Sequence, residues 1–207
     1  MKNKFLELNT HIREENRESA VKEALRLLDS KETSIIELYE DALAPSLHEI
    51  DCQDGDNECI WKEHVKTAIV RTIVELCYPY VLQESKKTKP KGKKTLVVCP
   101  TEEYHEIGAK MAHDFFLISG YNSTFIGANT PLQVILNAVE FTTPNYIAIS
   151  VTNYYNIVHA KRIVKAIKAV NDKVVILAGG QAFKDQYSLA AVGADFHVTS
   201  FESIQKL

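Results

Sequence analysis

The segment Leu96-Val97-Val98-Cys99-Pro100-Thr101-Glu102-Glu103-Tyr104-His105-Glu106-Ile107-Gly108 begins apolar and ends charged. Its Leu/Val run closing on a proline predicts a buried strand that emerges into a loop. The amphipathic residues from Ile107 onward predict the helix that follows. His105 then stands where strand gives way to helix, at the carboxyl edge of a sheet, where open α/β folds bind their ligands. A histidine two residues after a carboxylate and three before a glycine is a candidate axial ligand for a metal cofactor.

Downstream of this segment, strands and helices alternate. Strands are predicted at 95–99, 123–127, 145–150, 173–178 and 195–198. Helices are predicted at about 106–119, 131–142, 156–170 and 184–192, with a short last one from Phe201. This alternation predicts a parallel sheet with helices on both faces. Five strands in so few residues fit the flavodoxin-like order 2-1-3-4-5, with its switch point beside the first strand. The strand ends then meet at one edge, bringing Glu103 and His105 together with Gly127-Ala128-Asn129, Ser150-Val151-Thr152-Asn153 and Gly179-Gly180-Gln181. Hydroxyls, an amide and a glycine pair suit a large polar cofactor lying close to the backbone. There is no G-x-x-x-x-G-K and no G-x-G-x-x-G, which disfavours a nucleotide site.

Upstream, residues 1 to about 83 show helical spacing and a single glycine, Gly55. A first helix is predicted to end near Ile12, and Ala20 to Leu28 make a second. Ser34-Ile35-Ile36-Glu37 is a capping box that starts a third, which Pro45 should kink or break. The loop Asp51 to Asn57 is acidic but lacks the twelve-residue register of a calcium loop. A fourth helix from about Glu58 is predicted to face inward through Trp61, Val65, Ala68, Ile69, Thr72, Ile73, Leu76 and Tyr80. His64 falls on or beside that stripe, where a partly buried histidine is the plain expectation. Four helices with short links predict a small bundle. Lys86-Lys-Thr-Lys-Pro-Lys-Gly-Lys-Lys94 reads as a solvated linker and a flexible joint. The domains are thus a helical cap at 1–85, a basic linker at 86–94 and an α/β domain at 95–207.

Composition narrows the function classes. The chain has 207 residues, 45% hydrophobic and 25% charged, as in an ordinary globular protein. A net charge of −3 gives no general attraction for nucleic acid. No apolar run is long enough to span a membrane, and the N-terminus turns acidic too soon for a secretory signal. The four cysteines (52, 59, 77 and 99) lack zinc spacing, and Cys77 and Cys99 lie in apolar runs that suit reduced core thiols. A reducing cytoplasm is the expected setting.

Together these residues resemble the cobalamin-binding domain family. Its motif D-x-H-x-x-G, then S-x-L or a relative, then G-G, has counterparts in Glu103-Tyr104-His105-Glu106-Ile107-Gly108, Ser150-Val151-Thr152 and Gly179-Gly180. The helical half resembles the four-helix cap of methionine synthases, corrinoid carriers and cobalamin-dependent photoreceptor regulators, so the likeness covers nearly the whole chain. The resemblance implies cobalamin with its lower base off cobalt, His105 as axial ligand and Glu103 as the carboxylate behind it. It implies further contacts from Tyr104, Gly108 and Asn129, and a slot for the nucleotide tail lined by Ser150, Thr152, Gly179 and Gly180. Glu103 stands where the family pattern has Asp, so the expected carboxylate contact is shifted or replaced. Photoreceptor relatives place a Trp ten residues before a Glu-His pair. Here Glu63-His64 fits the pair, Gln53 holds the Trp position, and Trp61 reads as a bundle-core aromatic. His64 is then an upper-face ligand or polar contact.

The resemblance implies a cobalamin protein that is not itself an enzyme and works through a protein partner, with a homodimer as a further expectation. His-Glu-Ile-Gly and Gly127-Ala-Asn-Thr-Pro131 resemble regulatory members, and favour a sensor or regulator. The alternatives are a corrinoid methyl carrier serving separate methyltransferases and a flavodoxin-like scaffold that has lost cobalamin. Neither nucleic acid nor membrane is an expected direct partner.

Overall fold

The computed structural model of the protein describes residues 3–48, 56–184 and 186–207, with side chains for all of these except Asn3 and Gln186. The chain divides into two compact units, Met1–Gln83 and Glu84–Leu207.

In the first unit, α1 (Leu6–Arg13) and α2 (Arg17–Asp29) pack on α5 (Asn57–Leu76). Their inner faces supply Leu8, Ile12, Ala24, Leu27, Ile69 and Ile73, all essentially excluded from solvent. Asn16 caps α2 by accepting from the Ser19 amide. The Ser34 capping box forms and opens α3 (Ile35–Glu37). Pro45 does not break the segment. A π-helical turn, Leu38–Leu43, leads directly into α4 (Ala44–His48), which contains the proline. Widening the preceding turn accommodates a ring that would collide with an α-helical carbonyl and a nitrogen that donates nothing. The acidic loop lies at residues 51–55 outside the described residues, as does Gln53; Asp56 caps α5 through the Cys59 amide.

The buried face of α5 is shorter than its periodicity predicts. The buried residues are Ile69, Val70, Ile73 and Val74. Trp61 is 50% exposed and Leu76 44% exposed, so Trp61 is not a core residue. His64 is exposed on the same amino-terminal half. The helix also ends earlier than its pattern, at Leu76, and α6 (Tyr78–Ser85) restarts with Pro79 in its first turn, where a proline costs no hydrogen bond. Cys77 and Cys99 are buried and outside any disulfide. Cys59 is disulfide-bonded, a departure from a uniformly reduced reading.

The second unit is a five-stranded parallel sheet in the order β2-β1-β3-β4-β5. The strands are β1 (Lys94–Pro100), β2 (Asn122–Thr130), β3 (Tyr146–Ser150), β4 (Val175–Gly179) and β5 (Phe196–His197). They alternate with α7 (Ile107–Ile118), α8 (Leu132–Thr142), α9 (Ile157–Val170) and α10 (Gln186–Val192), and α11 (Phe201–Gln205) closes the chain. Leu96 and Val98 of β1 join Ile147, Ile149, Ile163, Ile167 and Ile176 in one core. Every β1 residue after Lys94 is buried, as a strand with neighbours on both sides and helices on both faces requires.

The second half of the basic run is fixed to the amino edge of this sheet. The Lys91 amide donates to the Gly120 carbonyl, and the Lys94 amide to Asn145 Oδ1. The Lys91 and Lys93 ammonium groups donate to the Tyr121 and Tyr146 hydroxyls. A polar composition predicts a flexible joint; tyrosines distant in sequence hold this part in place. Among the described residues, no helix is long and apolar enough to cross a membrane.

Candidate functional site

The strand order reverses at β1, and the loop from Thr101 to Glu106 opens onto the crevice this creates. The loop is shaped by two residues with left-handed backbones. Glu102 has φ +67° and Asn129, at the end of β2, has φ +47°. They interlock: the Glu102 amide donates to Asn129 Oδ1 at 2.9 Å, and the Asn129 amide donates to the Glu103 carbonyl at 2.8 Å. Two register shifts between β1 and β2 carry the end of β2 to that position. Glu106 adds a second tie, accepting from the Ala128 amide at 3.0 Å.

Glu103 is fully buried, and its two carboxylate oxygens accept five hydrogen bonds. Oε1 takes the His105 ring Nδ1 at 2.6 Å and the His105 amide at 3.0 Å. Oε2 takes the amides of Thr152 and Asn153, each at 2.9 Å, and Asn156 Nδ2 at 3.2 Å. Burial alone would raise this carboxyl; the hydrogen bonds from His105, Asn153 and Thr152 outweigh it and hold the group at about 2. An ionised carboxylate only accepts, so His105 Nδ1 carries the proton, and it is in the neutral ring that Nε2 carries the lone pair. With Glu at this position the carboxylate–imidazole contact is direct and is not replaced by another residue. The longer side chain reaches the imidazole directly while its other oxygen spans to the β3 loop.

The His105 side chain is 56% exposed. Beneath it, Cys99 Sγ donates to the His105 carbonyl at 3.8 Å. Burial, with the charges of Glu103 and Glu106 adding, pushes that thiol up to about 12, so it stays protonated. Tyr104 projects to solvent, 66% exposed. Gly108 lies in the first turn of α7, and a Cβ added there would meet nothing within 4 Å.

The β3 and β4 loops close against each other. Ser150 pairs with Gly179, the Val151 amide donates to the Gly179 carbonyl, and the Ala182 amide donates to the Val151 carbonyl. Gly180 has φ +98°, and a Cβ there would sit 2.3 Å from the Val151 carbonyl oxygen. Gly180 is therefore required by the chain's own packing, whereas a Cβ on Gly179 would lie 3.0 Å from the Val198 carbonyl oxygen. Thr152 enters the network through its amide.

The structure thus gathers Glu103, His105, Asn129 and Thr152 into one bonded network, with Ser150, Gly179 and Gly180 beside it. Tyr104 and Gly108 flank His105. His64 belongs to the other unit. Asn156, Glu102 and Glu106 are network members that the sequence reading passed over. Asn156, 4% exposed, reads in sequence as the start of α9, and Glu106 as the first helical residue.

A model of the B12 binding domain matches residues 93–203, more than half of the chain. The chain belongs to the B12-binding domain family. Its cofactor class is cobalamin. Over 130 residues it is 28% identical to the HTH-type transcriptional repressor CarA of Myxococcus xanthus, covering 62% of this chain and 42% of that protein. The chain therefore spans less than half the length of this curated relative. Among solved structures, the Methanosarcina barkeri monomethylamine corrinoid protein superposes with a TM-score of 0.81 at 13% identity, covering 99% of this chain and 96% of that one. The methanol:cobalamin methyltransferase complex MtaBC of the same organism gives 0.52 at 16% identity, covering 99% and 78%. At such identities the likeness is one of fold, here that of a corrinoid protein.

The residues present fit this cofactor. An exposed imidazole with a carboxylate on its far nitrogen is the donor a transition metal takes. The surface at Gly108, at the start of α7, is open: a Cβ added there would meet nothing within 4 Å.

Proposed function

We propose that this chain is a cobalamin-binding sensor or regulator that acts through a protein partner, with His105 as the lower ligand of cobalt. Glu103 holds the imidazole in the Nδ1-protonated form and orients Nε2. Tyr104, Gly108 and Asn129 flank the lower face, and Ser150, Thr152, Gly179 and Gly180 line the nucleotide tail. When bound, cobalamin supplies a cobalt centre that carries an exchangeable upper ligand.

The observation that carries the reading is the five-bonded Glu103. One oxygen holds the histidine and the other holds the Thr152 to Asn156 loop. A displacement of His105 is thereby transmitted to a surface loop, which is what a reporter of cofactor state needs. The likeness to a transcriptional repressor supports the same reading. A methyl-carrier role is the second reading, favoured by the fold match along almost the whole monomethylamine corrinoid protein.

The test is reconstitution with hydroxo-, methyl- and adenosylcobalamin, followed by gel filtration and absorption spectra of wild type and His105→Ala. Retained corrinoid with a histidine-ligated spectrum is expected, and His105→Ala changes that spectrum. Retention of no form sinks the reading, and an unchanged spectrum in His105→Ala removes the ligand assignment. A change of oligomeric state or partner binding on illuminating or exchanging the upper ligand supports the sensor. Its absence, with demethylation of the methyl form by a methyltransferase, supports the carrier.

A further inference from the structure

The surface that begins at the rim of the site joins exposed aromatics to a basic helix face. After Asn153, the 3-10 turn Tyr154–Asn156 exposes two adjacent tyrosines, Tyr154 at 64% and Tyr155 at 84%. Val158, 48% exposed, continues the apolar patch into α9. One turn further along the same face stand Lys161, Arg162 and Lys165, all exposed. At 100° per residue, positions 158, 161, 162 and 165 form one stripe, and the buried Ala160, Ile163, Val164 and Ile167 form the opposite one.

Ile157–Val170 contains four lysines or arginines and no acidic residue, in a chain of net charge −3. Lys168 is used internally, bonding Asp195 and the Val174 carbonyl. Lys161, Arg162 and Lys165 make no ion pair among the described residues. Like charges four apart destabilise a helix, so the concentration is not explained by the helix itself. Exposed tyrosines flanked by cations have the composition of a protein-binding patch, with aromatic anchors and a charged rim.

We propose that this face docks an acidic surface of a partner protein. The proposal rests on the reading that the chain works through a partner, and assigns where that partner sits. Nucleic acid is the poorer fit, since three cations within about 6 Å of helix neutralise few phosphates, against the 6–10 contacts of a typical site. The face is also wired to the site. Asn153 and Asn156, on either side of the tyrosines, both bond Glu103, and His159 Nε2 lies 3.3 Å from a Glu102 carboxylate oxygen. A protein seated on the tyrosines rests on the loop that holds the His105 carboxylate.

The test places the photo-crosslinker p-benzoylphenylalanine at Tyr155 of the full chain, and at Phe141 of α8 (91% exposed) as a control. Both are irradiated in an extract of the source cells, and products are identified by mass spectrometry. The expected result is one protein crosslinked from position 155 and not from 141, joined through an Asp/Glu-rich peptide. Its yield falls about tenfold or more with the triple variant Lys161→Glu, Arg162→Glu, Lys165→Glu, and with added salt. Circular dichroism and corrinoid absorption of the triple variant, expected unchanged, confirm that it folds. No product, identical products from 141, a product indifferent to charge reversal, a nucleic acid, or a second copy of this chain overturns the proposal. Corrinoid retention is scored separately: a chain that crosslinks but holds no corrinoid refutes the proposed function and leaves the docking face standing.

Discussion

The side-chain amide of Asn156 donates both to the Glu102 carbonyl, at 3.1 Å, and to the Glu103 carboxylate, at 3.2 Å. It joins the start of α9 to the loop that carries His105, and it does so from a position 4% exposed. Asn156→Ala leaves a carbonyl and part of a carboxylate buried without that donor, which costs about 1–3 kcal/mol. The expected fall in Tm, by calorimetry, is roughly 2–4 °C per kcal/mol. Cobalamin affinity is expected to fall 10–100-fold, about the usual effect of losing a group that supports a metal ligand. Unchanged affinity in a folded Asn156→Ala protein would show that the network does not position His105.

Much of the second unit was legible because its signals are local. Apolar runs such as Leu96-Val97-Val98 and the punctuation after them located the strands, and alternation with helices implied their order. His105, Glu103 and the glycine pair were legible as a set because strand ends in such a sheet meet. Asn156 was not, because an asparagine ahead of a helical run reads as a cap. Here its side chain makes no cap bond and reaches the carboxylate instead. Glu102 left no trace either, since nothing in a glutamate announces a left-handed backbone. In the first unit the predicted stripe of α5 holds at Ile69 and Ile73, which are buried, and fails at Trp61 and Leu76, which are exposed. Spacing shows which residues share a face but not how far along the helix that face is covered.

The extent of that buried face can be measured. Ile73 is 1% exposed and Trp61 50% exposed. Ile73→Ala is expected to destabilise the protein by about 2–5 kcal/mol, and Trp61→Ala by no more than about 1 kcal/mol. Urea titrations of both variants decide the matter. A Trp61→Ala cost matching that of Ile73→Ala would return the tryptophan to the core.

His113 of α7 gives the fold a pH dependence. Its Nδ1 lies 2.9 Å from Ser123 Oγ, and its ring lies beside Phe125. Burial, with the Lys110 charge adding, lowers its pKa from an ordinary 6.5 to about 4. The folded state therefore prefers the neutral ring, while the unfolded chain takes up a proton first as pH falls. The stabilisation is complete above about 6.5 and is lost as pH falls to about 4. At about 1.4 kcal/mol per unit it is on the order of 3 kcal/mol. Chemical denaturation across this window is expected to show a shallower slope for His113→Gln than for wild type. Equal slopes would remove His113 as the cause.

Two glycines with opposite surroundings separate packing from cofactor space. A Cβ on Gly180 would lie 2.3 Å from the Val151 carbonyl oxygen, on a backbone at φ +98°. Gly180→Ala is expected to cost about 2–4 kcal/mol in the cofactor-free protein, through strain and displacement of the β3 loop. A Cβ on Gly108 meets nothing, and its backbone is ordinary helix. Gly108→Ala is expected to leave the cofactor-free protein as stable or up to about 1 kcal/mol more stable, since alanine is the better helix former. If a macrocycle occupies that space, the same methyl group obstructs it, and cobalamin retention on gel filtration falls although the fold is firmer. A Gly108→Ala protein that gains stability and binds cobalamin as tightly as wild type would place the corrin elsewhere on this edge.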